Sequence, residues 1–176
     1  MIIHENSKSI VTLKNNIVIK YLKYTKIDKY WLYAYNQLSK KKSMYVKVLD
    51  IIDEQTYTME YIPDIICTVE DLIKNSDNYH LLEKTEIINI SSLLPSIFLE
   101  TLNYSKSLPD DKYFIHTDPL LSNFAFTKSK KIVVIDPDSF TFVDNLDYIE
   151  KYYMSSINVM YNIQKIFYFK SRGKDV

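Results

Sequence analysis

The sequence holds a single glycine, Gly173, among its 176 residues, where an average chain carries about 7%. Motifs that need glycine for positive φ, or for close approach of backbone to phosphate, are thereby excluded: a Walker loop, a dinucleotide-binding fingerprint and a nucleophile elbow. Cysteine is as scarce. Cys67 stands alone, so no intramolecular disulfide and no cysteine-based zinc site can form, and a reducing compartment is the expected setting. No apolar run reaches the roughly 18 residues of a membrane span. Glu5, Lys8 and Lys14 lie where a signal peptide is apolar. The expectation is a cytoplasmic protein without a membrane span, and delivery into another cell as an effector is compatible with it.

What is present is ordinary for a globular chain: 47% hydrophobic and 25% charged residues, at a length that fits one domain. The 22 basic and 22 acidic residues cancel, but they are segregated. Residues 1–48 hold ten Lys and two acids, residues 49–118 four Lys and fourteen acids, and residues 119–176 eight basic and six acidic residues. A basic N-terminal region of this kind suits an acidic partner, or simply a solvated surface.

Ser9 to Lys14 and Ile17 to Lys23 are rich in β-branched residues and flank Asn15-Asn16, a pair that tolerates the left-handed backbone of a two-residue hairpin turn. On the second strand the two-residue period puts Val18, Lys20 and Leu22 on one face. Lys20 is thus a charge set among apolar neighbours. Asp28 can cap a helix through Tyr30, Trp31, Tyr33, Ala34 and Leu38 that ends at Lys40-Lys41-Lys42. Strands over Met44 to Ile52 and Thr56 to Ile62 follow, stopped by Pro63. Thr68 to Asp71 reads as the start of a short helix to Lys74. A longer helix spans Leu81 to Ser107, with Pro95 expected to kink or divide it. Spacing of apolar residues predicts a last helix over 144–169.

The stretch richest in chemistry is His116-Thr117-Asp118-Pro119-Leu120-Leu121-Ser122-Asn123, followed by Phe124 to Phe126 and then Ile132 to Asp136. If Thr127 pairs with Ile132 around a four-residue loop, Asn123 faces Asp136 at the open end of a hairpin, with Asp118 on the loop entering that end. Two carboxylates and a carboxamide suit Mg²⁺, which takes hard oxygen ligands and borrows part of its shell from phosphate. Such a site asks for a nucleotide.

The pattern H116-T-D118-P-L-L-S-N123, with I135-D136-P-D138 beyond a strand hairpin, resembles the catalytic loop of the protein-kinase-like superfamily. V18-I-K20 resembles the strand lysine, 28–39 the helix after it, and M59-E60-Y61-I62 the segment joining the lobes. The Asp-Pro resembles ubiquinone-biosynthesis kinase-like proteins, the loop is also similar to that of aminoglycoside phosphotransferase-like proteins, and the small size resembles minimal kinases of bacterial effectors or phages. The resemblance implies an α+β, bilobal fold in one domain. Its small antiparallel β-rich N-lobe with one helix spans 1–62, and a truncated helical C-lobe spans 63–176. It implies ATP and Mg²⁺, with Lys20 on the α/β-phosphates, Asp118 as the base orienting an acceptor hydroxyl, and Asn123 and Asp136 as metal ligands. Val18 and Met59 then line the adenine pocket, Glu60 and Ile62 offer it backbone groups, and His116 is a structural hydrogen-bonding residue.

Departures from the family pattern are equally legible. No glycine-rich loop covers the phosphates, which leaves Asn6-Ser7-Lys8-Ser9 to do so through backbone amides or the Lys8 charge. The helix after Lys20 lacks its expected Glu. Thr117 replaces an arginine, so control by loop phosphorylation is not expected. Asp138, in place of a glycine, is either an extra metal ligand or a turn and cap residue, the second being the expected reading. Only 40 residues follow Asp136, too few for a full activation segment and substrate-binding helices, which points to a protein substrate docked elsewhere. The alternatives are a pseudokinase that works by binding a protein partner and an α+β nucleic-acid-binding domain using the basic first 48 residues. No nucleic-acid motif accompanies that charge, so nucleic acid is not the expected partner.

Overall fold

The first five strands of the chain build one antiparallel sheet. In the computed structural model, which describes residues 1–40, 44–74, 84–108, 112–118, 120–145, 147, 154 and 161, these are β1 (Ile2–Glu5), β2 (Ser9–Lys14), β3 (Ile17–Leu22), β4 (Val48–Asp53) and β5 (Thr56–Glu60), in the order β1-β2-β3-β5-β4. The β2–β3 hairpin turns as expected: Asn15 and Asn16 both take positive φ, 52° and 60°, which the tight turn requires. Val18, Lys20 and Leu22 are buried together on one face of β3. The edge strand β1 is an addition that its short, fully exposed sequence does not announce.

Helix α1 (Lys29–Ser39) begins where Asp28 accepts the Trp31 amide at 2.7 Å, a satisfied N-cap. Its buried residues Trp31, Ala34, Tyr35 and Leu38 recur at helical spacing and pack on the sheet. The strand expected from Met44 begins only at Val48. Tyr45 instead forms a parallel bridge to Val134, with Val46 N–H donating to Val134 O (3.1 Å) and Val134 N–H to Met44 O (2.7 Å). Backbone groups that could have extended β4 are thus committed to the other half of the molecule.

That half contains β6 (Ile65–Thr68), α2 (Val69–Lys74), α3 (Lys84–Ser105), β7 (Tyr113–His116), β8 (Phe124–Thr127), β9 (Ile132–Val134) and β10 (Phe140–Val143). Thr68 Oγ1 accepts the Asp71 amide (3.0 Å), and the Thr68 amide reaches back to Asp71 Oδ2 (3.4 Å), so the predicted start of α2 is a capping box. Helix α3 runs unbroken through Pro95. The missing amide costs one helical bond, and the buried face of Leu93, Leu94, Ile97 and Phe98 holds both sides of it to the core. The helix expected over 144–169 lies almost wholly outside the described residues. Strands β6-β8-β9 form one small sheet and β10-β7 a ribbon, so this part is less purely helical than the sequence suggested. One buried cluster joins Val18, Trp31, Tyr35 and Tyr57 to Leu94, Phe114, Phe124 and Phe140. The fold is α+β with antiparallel sheets. Among the described residues no helix is long and apolar enough to cross a membrane.

The register of β8 and β9 corrects the expected pairing. Phe126 faces Ile132 and Phe124 faces Val134, and Ile135 N–H donates to Asn123 O at 3.0 Å. Asn123 is therefore opposite Ile135, one residue before Asp136. The cause is the loop: Lys130 takes φ 58°, its amide donates to Thr127 O (2.9 Å), and the Thr127 amide donates to Lys131 O (3.0 Å). This is a three-residue connection closed by a left-handed residue, shorter by one than the loop the sequence reading assumed.

Candidate functional site

A cleft of about 620 Å³ runs beneath the face of β3 and β5 and is lined by Lys8, Val18, Lys20, Met59, Glu60, Ile62, Asp118, Asn123 and Asp136, with Asp138 among its further walls. Nine of the ten residues singled out from the sequence thus border one space. The tenth, His116, lies fully buried behind it. Sheet register explains the roof of the cleft: Val18 pairs with Met59 and Lys20 with Tyr57, so two apolar side chains and then a cation and a phenol follow one another along the same face.

Bringing Asp118 to the cleft that Asp136 also lines takes more than the β8–β9 hairpin. Strand β7 delivers the loop at 116–118, and its pairing of His116 with Phe140 sets that loop against the turn after Asp136. Thr117 locks the two together, since its amide (2.7 Å) and its hydroxyl (2.9 Å) both donate to Ser139 O. Asn123 Nδ2 donates to Asp118 O at 2.9 Å. From behind, Ser105 Oγ on α3 accepts the Phe114 amide at 2.8 Å. Phe140 O accepts from Trp31 Nε1 at 2.8 Å, which ties α1 to the same segment.

Lys20 is the electrostatic centre. Its side chain is 8% exposed, and Nζ donates to Asp136 Oδ1 and, at 2.7 Å, to Asp138 Oδ1. Buried charges persist when paired and hydrogen-bonded. Desolvation works to lower the Lys20 pKa, but the Asp138 and Asp136 charges outweigh it and raise the value. For Asp136, burial pushes upward, yet the Lys20 charge and its hydrogen bond hold the carboxyl below the usual range. Asp138 goes the other way: burial, then the neighbouring Asp136 charge, push it up. Asp136 Oδ2 also accepts from Ser139 Oγ at 2.5 Å, and Asp138 Oδ1 accepts from the Tyr57 hydroxyl at 2.5 Å. Burial, followed by the Asp138 charge, raises the Tyr57 pKa well above normal, so Tyr57 serves as a donor.

Four expectations change here. Asp138, inside the short turn Pro137–Ser139, has its carboxylate Oδ1 answering Lys20 and Tyr57 rather than serving as the turn's cap, a position held by Asp136. The supposed hydrogen-bonding role of His116 gives way to ring packing: the imidazole stacks on Phe124 (centroids 5.5 Å) and meets Phe140 edge-on (4.8 Å). Among the described residues neither of its ring nitrogens has a hydrogen-bond partner, and burial depresses its pKa to about 4. In the segment over the cleft, the amides of Lys8 (2.8 Å) and Ser9 (2.7 Å) donate to Asn6 Oδ1, which leaves the Lys8 charge rather than those amides to meet a ligand. Along the inner edge, the Glu60 amide donates to Lys47 O (2.9 Å) and the Glu60 carboxylate accepts the Lys47 amide (2.9 Å), so that amide is already spent.

Asp138, Tyr57, Thr117 and Ser139 were not assigned these roles from sequence. For Asp138 a signal existed, a second acid two residues after Asp136; for Tyr57 it was the alternation Tyr57, Met59 on the strand opposite Lys20. The donor set fits Mg²⁺: Asp136 supplies carboxylate oxygen, and Asn123, with Nδ2 turned to Asp118 O, presents Oδ1 as its remaining atom.

No family model and no curated protein matches the chain. Solved structures do. A structure described as "PpkA-294 apo form" is 17% identical, with a TM-score of 0.48 over 79% of this chain and 57% of that one. A choline/ethanolamine kinase family protein from Mesorhizobium loti is 12% identical, with a TM-score of 0.45 over 87% of this chain and 67% of that one. The chain thus spans little more than half the length of the first of these.

Proposed function

We propose that the chain is an ATP- and Mg²⁺-dependent phosphotransferase of the protein-kinase-like kind, acting on hydroxyl groups of a protein. The observation that carries this reading is the meeting of Lys20, Asp118, Asn123 and Asp136 in one cleft. Val18 and Met59 give it an apolar inner wall for a flat base, and Lys20 and Lys8 supply the cations a triphosphate needs. Asn123 and Asp136 would hold the metal, which when bound neutralises charge on the phosphate oxygens. Asp118 is half-buried at the cleft margin, where a carboxylate can orient an incoming hydroxyl and take its proton as the phosphoryl group moves. The basic N-terminal region offers a docking surface to an acidic protein.

The test is transfer from γ-labelled ATP with Mg²⁺ to the chain itself and to a host lysate. Asp118→Ala and Asp136→Ala are each expected to lose roughly 100-fold or more, with folding checked by circular dichroism. A second reading, a pseudokinase that binds protein partners, is favoured by one feature: the Lys8 and Ser9 amides over the phosphate position are committed to Asn6. Tight Mg²⁺·ATP binding with no label in any sample decides for it.

A further inference from the structure

The buried face of α1 carries Trp31, Ala34, Tyr35 and Leu38 and no carboxylate. Lys20 nevertheless sits 8% exposed in the wall of the cleft, where an uncompensated ammonium is costly. Asp136 alone is a poor permanent partner for it, because the oxygen that accepts from Lys20 is one a cation would also claim, and its other oxygen is held by Ser139 Oγ. Asp138 is not one of the two residues assigned to the metal above. Its Oδ1 accepts from Lys20 Nζ at 2.7 Å and from the Tyr57 hydroxyl at 2.5 Å, and its side chain is 16% exposed. Tyr57 lies directly opposite Lys20 in the β3–β5 register, so cation and phenol leave neighbouring strands on the same face and converge on one carboxylate. The backbone beneath Asp138 is rigid for identifiable reasons: Pro137 restricts one neighbour, the Ser139 amide donates to Asp136 O at 3.1 Å, and Ser139 O takes both donors of Thr117.

We propose that Asp138, oriented by the Tyr57 hydroxyl, is the positioning residue for Lys20, taking over the task of the carboxylate that α1 lacks. Its purpose rests on the phosphotransferase reading; its geometry does not. Lys20 is then aimed by the turn that also carries Asp136 and by β5. Helix α1 offers Lys20 no carboxylate; it meets this assembly through the Trp31 ring against Tyr57, at 5.9 Å between centroids, and through Trp31 Nε1 donating to Phe140 O.

The experiment uses the full chain as wild type, Lys20→Met, Asp138→Asn, Tyr57→Phe and the double variant Lys20→Met/Asp138→Asn. Denaturant unfolding is expected to give a double variant less damaged than the sum of its parts, since the contact is lost only once. With casein as acceptor, Asp138→Asn is expected to raise the KM for ATP about tenfold with the KM for casein unchanged, and Tyr57→Phe to shift it the same way by less. Additive unfolding effects overturn the proposal whatever the chain does with ATP. So does a loss in kcat with the KM for ATP unchanged, which marks a merely structural contact. If wild type transfers no phosphate, the Kd for Mg²⁺·ATP replaces KM in the same comparison. If it binds no nucleotide, the phosphotransferase reading fails separately and the coupling between Lys20 and Asp138 alone decides. Should Asp138→Asn not fold, Tyr57→Phe with Lys20→Met and their double carries the cycle.

Discussion

The segment 6–9 over the cleft and the turn 136–139 beneath it present polar atoms to the same space, but they are held by different means. The upper segment is largely exposed, and its bonds are mostly local, from Asn6 to the amides two and three residues on. The lower turn is tied to residues more than 80 positions away, Lys20 and Tyr57, and to Thr117 and Trp31 through the backbone of Ser139 and Phe140. Its lysine partner is buried, and its two carboxylates are half-buried and both paired with that one ammonium. Low dielectric strengthens each of those bonds and equally raises the penalty for losing one partner. Function and stability are therefore fused in the lower turn and separable in the upper segment.

The sharpest way to break the comparison is Lys20→Met. It leaves Asp136 and Asp138 half-buried side by side without their cation, and unfolding in denaturant is expected to show a loss of about 3 kcal/mol. Phosphoryl transfer should fall with it. A stability change confined to a few tenths of a kcal/mol would show that the lower turn is no more integrated than the upper.

The next effect is a pH dependence centred on His116, whose ring packs against Phe140 at the end of the same turn. Burial lowers its pKa to about 4 from an ordinary 6.5. The unfolded chain therefore takes up the proton before the folded one does, so the stability that the neutral ring contributes is intact above about pH 6.5 and lost as pH falls towards 4. Between pH 7 and pH 5 the loss is about 2 kcal/mol. His116→Phe, which keeps a ring between Phe124 and Phe140, should flatten that part of the profile. Parallel curves for wild type and variant would contradict the assignment.

The smallest expected effect belongs to the upper segment. Lys8→Ala should raise the KM for ATP several-fold through loss of one exposed cation near phosphate, with the melting temperature unchanged. A melting temperature that drops as it does for Lys20→Met would erase the distinction between the two walls.

How far the site could be foreseen depends on the distance its causes act over. The Asn15-Asn16 turn, the Asp28 cap and the Thr68–Asp71 capping box were legible because each bond spans three residues or fewer and each residue type announces its role. The β8–β9 register was misjudged by one residue because it hangs on Lys130 adopting a left-handed backbone, which lysine does not advertise. Strand β6, and the switch of Tyr45 from β4 to Val134, were invisible because a four-residue strand shows little period and a bridge has no local signature.

By itself the sequence determined which chemical groups are available and most of the local frame: the α+β pattern, Lys20 on the buried face of its strand, and the acids and amide that border the cleft. Local propensity and periodicity act within a few residues, so they can be read in one dimension. Only the tertiary structure decided which charge answers which. Lys20 lies 116 residues from Asp136 and 118 from Asp138, and its pairing with both follows from burial, which makes an unpaired charge intolerable and selects whatever carboxylates the packing of β3, β5 and the turn after β9 brings within reach.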